Sequence, residues 1–164
     1  MTPKQCFLSY AHHDHAAFGR LCQHMGAVAN LYGFKLWHDE RLSGGTAWDD
    51  RIRGAIEDSQ IFVALVTNDY FASSYIRDHE LPAIMERHRD HNALVLPLIY
   101  RESCWRGFFG SFIQVLPSRQ GRVCPIADWR PTENGFAVAA NATSHAVEEW
   151  FGSSPKTIIG RAAP

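Results

Sequence analysis

The chain has 164 residues, 46% of them hydrophobic and 12% aromatic, with 16 Lys and Arg against 17 Asp and Glu for a formal net charge of −1. That length and apolar content fit one compact domain able to bury roughly two-thirds of the surface of its unfolded chain, and they exclude a disordered chain or a fibrous repeat. The basic residues are scattered among acids, as in His38-Asp39-Glu40-Arg41, which excludes the concentrated basic face of a nucleic-acid binder.

In chain order, Cys6 to Tyr10 is a short apolar run that predicts a buried strand. Phe18, Leu21, Cys22, Met25 and Val28 follow at helical spacing, with Asp14 as the N-cap. Gly33 to Trp37 predicts a second strand, Ser43-Gly44-Gly45 a loop, and Thr46-x-x-Asp49 a capping box for a helix that turns Trp48, Ile52, Ala55 and Ile56 inward. Ile61 to Val66 and Leu94 to Ile99 are unbroken apolar runs, as expected of parallel strands covered on both faces.

Between those two runs a helix is expected from about residue 74 to 89, carrying Ile76, Leu81, Ile84 and Met85. A weaker strand is expected over Arg122 to Ile126, ahead of a last helix whose apolar positions Phe136, Ala140, Thr143, Val147, Trp150 and Phe151 keep a helical period. Strands alternating with helices predict an α/β fold: a flavodoxin-like five-stranded parallel sheet, order 2-1-3-4-5, with helices on both faces. Residues 1–151 form the domain, and 152–164, small and polar, read as a linker or flexible tail.

In such folds ligands sit at the carboxyl ends of the strands beside the reversal of strand order, here the loops after strands one, two and three. The first loop holds His12, His13, Asp14 and His15, but adjacent histidines diverge and no further ligands complete a metal set. The paired acids and the acceptor Asp of a response regulator are missing, as are dinucleotide and P-loop glycine fingerprints. Cys6, Cys22, Cys104 and Cys124 show neither C-x-x-C spacing nor a disulfide rhythm, which predicts free thiols in a reducing, cytoplasmic setting. No run approaches the ~18 apolar residues of a membrane span, and the first residues lack a signal-peptide pattern.

Glu80 is the most informative acid. At ~100° per residue it falls between Ile76 and Ile84, inside the apolar arc that faces the sheet. A carboxylate there is either snorkelling or paired with Arg77 or His79, or it has chemistry to perform. Pro82 two residues later either kinks the helix or marks its first turn, and a start near Asp78 would set Glu80 in the favourable field of a helix N-terminus.

Taken together, Phe7-Leu8-Ser9-Tyr10-Ala11-His12 with Asp14, Gly33-Phe34-Lys35-Leu36-Trp37 with Asp39, Leu42-Ser43-Gly44-Gly45 with Trp48, and Ser74-Tyr75-Ile76-Arg77-Asp78-His79-Glu80-Leu81 occur in a telling order. With Pro97-Leu98-Ile99, Cys104-Trp105, Val115-Leu116-Pro117 and Asp128-Trp129, the chain resembles a bacterial Toll/interleukin-1 receptor (TIR) domain over about residues 4 to 151. One departure is that Ile76 and Arg77 stand where many members carry Trp-Cys, leaving Tyr75 as the nearest aromatic.

The resemblance implies an NAD+ glycohydrolase or cyclase, with NAD+ as substrate and no separate cofactor or metal. It would release nicotinamide and ADP-ribose or a cyclic ADP-ribose, in antiphage defence or signalling. It implies Glu80 as the catalytic glutamate, and contacts to NAD+ from Ser9, Tyr10 and Asp14, from Asp39, Leu42, Gly44 and Trp48 of the BB loop, and from Tyr75 and Trp105. Trp48 reads equally well as core packing at its helix start. The resemblance also implies assembly with other TIR domains through the BB loop, which raises activity, and a fused or separate sensor module; charge and hydropathy predict neither direct nucleic-acid nor membrane contact. A non-catalytic TIR–TIR interaction module and a deoxyribosyltransferase-like nucleoside enzyme are the alternatives.

Overall fold

The computed structural model describes residues 4–39 and 46–152, with side chains in the second stretch from residue 49 onward. Leu42, the expected loop at Ser43 to Gly45, the side chains of Thr46 and Trp48, and the expected tail beyond Gly152 lie outside the described residues. Strands β1 (Gln5–Ser9), β2 (Lys35–Trp37), β3 (Ile61–Val66) and β4 (Leu94–Ile99) form a parallel sheet in the order β2-β1-β3-β4. Helices α1 (His15–Tyr32), α2 (Thr46–Asp58), α3 (Asn68–Ala72), α4 (Leu81–Arg89), α5 (Trp105–Phe109) and α6 (Thr132–Phe151) cover it.

The central strand explains the layering. Ile61, Val63 and Leu65 of β3 pack with α1 and α6, while Phe62, Ala64 and Val66 pack with α2, α3, α4 and α5, so the side-chain period of two divides one apolar run between two cores. β1 obeys the same parity: Cys6 and Leu8 face the α1 and α6 layer, and Phe7 faces the other. Ser9, in register with Ala64, shares the face of Phe7.

Two expected elements differ. Gly33 is not the start of β2 but the C-cap of α1, in the left-handed conformation at φ 73°, where its N–H closes the helix on the Ala29 carbonyl. A fifth parallel strand is absent among the described residues. Leu116 alone bridges β4, at Leu98, and Pro117 directly after it has no N–H to extend the pairing. Arg122 and Val123 turn back on Ser118 and Arg119 as an antiparallel pair, β5 (Ser118–Arg119) and β6 (Arg122–Val123). The reversal lies at Gln120 and Gly121, both at positive φ (52° and 77°), the backbone that a two-residue hairpin needs.

The helix bearing Glu80 is continuous with residues 74 and 75 and does not begin at Asp78. Pro82 brings no N–H and its ring displaces the carbonyl four residues back. The turn before it is wound wide, as a π-turn over Ile76–Glu80 in which the Leu81 N–H donates to the Ile76 carbonyl. Glu80 therefore receives no help from a helix N-terminus. Among the described residues no helix is long and apolar enough to cross a membrane.

Candidate functional site

Three elements converge on Glu80 at the carboxyl end of β1. The π-turn delivers Glu80 inward with Ile76, the two being 7% and 4% exposed. β1 ends in Ser9, 2% exposed, whose parity directs it into the same layer. α3 supplies Tyr70, fully buried, after Thr67 at the end of β3 caps the helix by accepting the Tyr70 N–H at 3.1 Å. This lies beside β1, where the strand order reverses, the position at which open α/β sheets bind ligands.

The Ser9 hydroxyl donates a short hydrogen bond to Glu80 Oε1 and lies 2.9 Å from Tyr70 Oη. Because a serine has one proton to give, Tyr70 Oη is the donor of the second bond. Burial pushes the Glu80 carboxyl up to about 7 and the Asp39 charge adds to the rise, while the Ser9 hydroxyl opposes both. Burial, with the neighbouring Glu80 charge, also holds the Tyr70 phenol far above its ordinary value. Arg77 pairs with Asp78 instead, at an exposed 3.3 Å, so Glu80 is not the salt-bridged acid that its neighbours in sequence allowed.

Glu80 opens onto a cavity of about 140 Å³ whose wall includes Tyr10, Asp39, Ile52, Tyr75 and Ile76. Pockets for drug-sized ligands usually measure ~300 Å³ or more, so this hollow has room for about one ring. A second hollow of about 160 Å³ reaches Glu80 from the α2 side and is lined by Asp49, Arg53, Asp78 and His79. Tyr75 and Ile52 stand between the two, and Tyr75 Oη donates to Asp49 Oδ1 at 2.6 Å, tying the π-turn segment to α2. That bond holds the Asp49 carboxyl below its usual range.

Of the residues expected at the site, Tyr10, Asp39, Tyr75 and Glu80 line the cavity together. Tyr10 is stacked on Phe18, with ring centroids 3.6 Å apart, and its hydroxyl donates to the Asp39 carbonyl at 3.1 Å, which fixes the first loop against the segment after β2. Ser9 is at the site but spends its proton on Glu80. Asp14 does not line the cavity; it starts α1 without capping it and accepts from Thr67 Oγ1 at 2.5 Å, bracing the loop after β1 against the end of β3. Trp105 lines neither hollow: it is 6% exposed in the core beside Phe71 and Phe109, with the Arg106 guanidinium 4.2 Å over its ring. Leu42, Gly44 and the side chain of Trp48 lie outside the described residues.

Sequence reasoning missed Tyr70. The signal was present in Thr67-Asn68-Asp69-Tyr70, a capping threonine placing a hydroxylated aromatic on the covered face of a short helix after a buried strand. Among the described residues no three His, Cys, Asp or Glu side chains are grouped to hold a metal ion. The rings of His12 and His13 are 6.5 Å apart and tilted by 45°.

The TIR domain model matches residues 6–123, well over half of the chain. The uncharacterized protein y4lF of Sinorhizobium fredii (strain NBRC 101917 / NGR234) is 30% identical over 140 residues, covering 85% of this chain; the chain spans 42% of that protein's length. Among solved structures, the RPS4 and RRS1 TIR domain heterodimer superposes with a TM-score of 0.58 at 11% identity, over 92% of this chain and 99% of the other. The TIR domains of the activated Roq1 resistosome superpose with a TM-score of 0.49 at 17% identity, over 84% of each chain. On the domain match, and with the fold agreeing, the chain belongs to the TIR domain family.

Proposed function

We propose that the domain cleaves the nicotinamide–ribose bond of NAD+, with Glu80 as the catalytic carboxylate. The observation that supports this best is one acid, 7% exposed, set at the carboxyl end of the strand beside the reversal of sheet order and open to a ring-sized cavity. Nicotinamide leaves as a neutral base from a pyridinium that already carries positive charge, so the reaction needs no general acid. The glycosidic electron pair goes to the ring nitrogen, and positive charge develops on the ribose. An ionised carboxylate fixed beside that carbon stabilises the charge, as the second acid of a glycosidase does. Water then adds to the anomeric carbon and gives up its proton, yielding ADP-ribose; an adenine nitrogen or a ribose hydroxyl adding instead yields a cyclic product.

In this reading NAD+ is consumed as substrate and no prosthetic group takes part. Tyr75 and Tyr10 line the cavity as aromatic walls and Asp39 as an acid for the nicotinamide end, while the larger remainder of NAD+ lies outside the cavity. Leu42, Gly44 and Trp48 are proposed contacts on the strength of the family pattern, as is self-assembly with further copies of the domain. A role in antiphage defence or signalling, in the cytoplasm and under a sensor module, belongs to the same proposal.

The test is incubation of the purified protein with NAD+ over a wide range of protein concentration, with Glu80→Gln alongside and nicotinamide resolved by chromatography. Nicotinamide release that vanishes in Glu80→Gln and rises more than linearly with concentration is the expected result. Equal release from both proteins refutes the assignment of Glu80, and release strictly proportional to concentration refutes activation by assembly.

A further inference from the structure

Ser9 and Tyr70 pose a problem that packing does not answer. Ser9 occupies a position whose strand parity calls for an apolar side chain, between Phe7 on its own strand and Ala64 across from it. Tyr70 is a fully buried phenol on a five-residue helix, where phenylalanine would fill the same space without a hydroxyl to satisfy. Both hydroxyls are desolvated. Both protons run one way, from Tyr70 Oη to Ser9 Oγ and from Ser9 Oγ to Glu80 Oε1.

We propose that Tyr70 is a positioning residue of the active site, acting through Ser9 to orient the Glu80 carboxylate and to favour its ionised form. Tyr70 has no exposed surface and cannot touch a ligand, so its influence passes through Ser9. A hydrogen bond whose acceptor is charged is about twice as strong as a neutral one, and in a chain of such bonds each polarises the next. Tyr70 also fixes which way Ser9 points: with the phenol occupying one lone pair, the serine proton has the carboxylate as its partner. The phenol keeps its proton because burial and the Glu80 charge both resist its loss, so the direction of donation does not reverse.

Among the described residues, the ionisable groups that line the two hollows at Glu80 come from four segments, the first being that of Tyr10, directly after β1. Asp39 comes from the segment after β2 and His12 from the turn after β1, Tyr75, Asp78 and His79 come from the helix of Glu80 itself, and Asp49 and Arg53 from α2. Asp39 opposes ionisation of Glu80 and Ser9 favours it. The serine and tyrosine hydroxyls thus work against burial and Asp39, which otherwise leave a proton on the carboxyl at neutral pH.

The test reads Glu80 directly, by carbon NMR of selectively labelled glutamate in the free protein, and reads turnover separately. Ser9→Ala is expected to raise the Glu80 titration by about one to two pH units, the loss of a hydrogen bond to a charged group. Tyr70→Phe should raise it by about half as much, with kcat lowered at neutral pH and KM for NAD+ little changed. The double variant should titrate like Ser9→Ala alone, because the tyrosine acts only through the serine. Ser9→Thr, which keeps a hydroxyl, should restore the wild-type titration.

A Glu80 titration unmoved in Tyr70→Phe, or a double variant whose shift is the two single shifts added together, overturns the proposal. The turnover arm rests on the NAD+ reading, whereas the titration does not. A moved titration with no nicotinamide release from any protein refutes that reading and leaves the relay standing.

Discussion

Replacing Glu80 by glutamine should cost the domain its proposed chemistry and abolish a loss of stability that the wild type suffers as pH rises. In the unfolded chain this carboxyl titrates at the ordinary 4.5, whereas in the fold burial raises it to about 7. Below pH 4.5 both states hold the proton and nothing is lost. As pH rises from 4.5 to 7 the unfolded state ionises while the folded state does not, so wild-type stability falls across that window and levels off above 7. At about 1.4 kcal/mol for each unit of pH, the full loss is about 3 kcal/mol. Glutamine does not titrate and escapes it.

The assay is thermal unfolding of both proteins from pH 5 to pH 8, scored as the difference between their melting temperatures. The nine histidines and the other acids are common to both proteins and cancel in that difference. Glutamine retains a carbonyl for the Ser9 hydroxyl but brings an NH2 where an oxygen was, a cost of about 1 to 3 kcal/mol that is constant with pH. The absolute offset therefore depends on how the amide settles, while the slope does not. About 2 to 3 kcal/mol of relative gain between pH 5 and pH 8, at ~2 to 4 °C per kcal/mol for a domain of this size, moves the difference by roughly 5 to 10 °C in favour of Glu80→Gln. A difference that stays flat, or that moves the other way, refutes a buried, proton-retaining Glu80.

Turnover of NAD+ should rise with pH through about 7, because only the ionised Glu80 stabilises a cationic ribose, and a rate-pH profile checks it. Tyr75→Phe keeps the ring between the two hollows and loses the bond to Asp49, so KM for NAD+ should stay near wild type, whereas Tyr75→Ala should raise it several-fold by steady-state kinetics. Thr67→Val removes both a helix cap and the proton donated to Asp14, a loss of about 2 to 4 kcal/mol in urea unfolding that Thr67→Ser should largely restore. Gly135→Ala sets a Cβ 2.5 Å from the Ile126 carbonyl oxygen and 2.8 Å from Trp129 Cδ1. The overpacking cost of about 1 to 3 kcal/mol should outweigh the ~1 kcal/mol gained in helix propensity, a net destabilisation visible in the same unfolding curves.

The parallel core was legible because β3 and β4 are buried on both faces and read as unbroken apolar runs, a pattern set by single residues. Glu80 was legible for a related reason: a helix wheel needs only local spacing, and Ile76, Glu80 and Ile84 are all buried as the wheel requires. The edge beyond β4 was not, since Arg122 to Ile126 has strand-like composition but its pairing is decided by Pro117 and by the Gln120-Gly121 reversal. Trp105 could not be placed from its neighbours, because whether an aromatic after a strand turns toward a cavity or into the core depends on α5 packing against Phe71. The partner of Asp14 was hidden in the same way: Thr67 lies 53 residues away, and only the sheet brings them together.

The site is concentrated where the local rules of folding are broken. Ser9 interrupts an apolar strand face, Glu80 an apolar helix arc, Tyr70 carries a hydroxyl into a position with no water, and Pro82 forces the turn beneath Glu80 to widen. Each departure costs stability taken singly, since a buried hydroxyl or carboxyl without a partner is expensive. Taken together the three polar groups satisfy one another: phenol to serine, serine to carboxylate, and the free edge of the carboxylate toward the cavity. What they leave uncompensated is the charge on Glu80, which the fold resists by raising its pKa and which a cationic ribose would relieve. The stability withheld at neutral pH and the affinity for developing positive charge are then the same free energy seen from two sides, which is why the stability of Glu80→Gln and the turnover of the wild type should follow one titration.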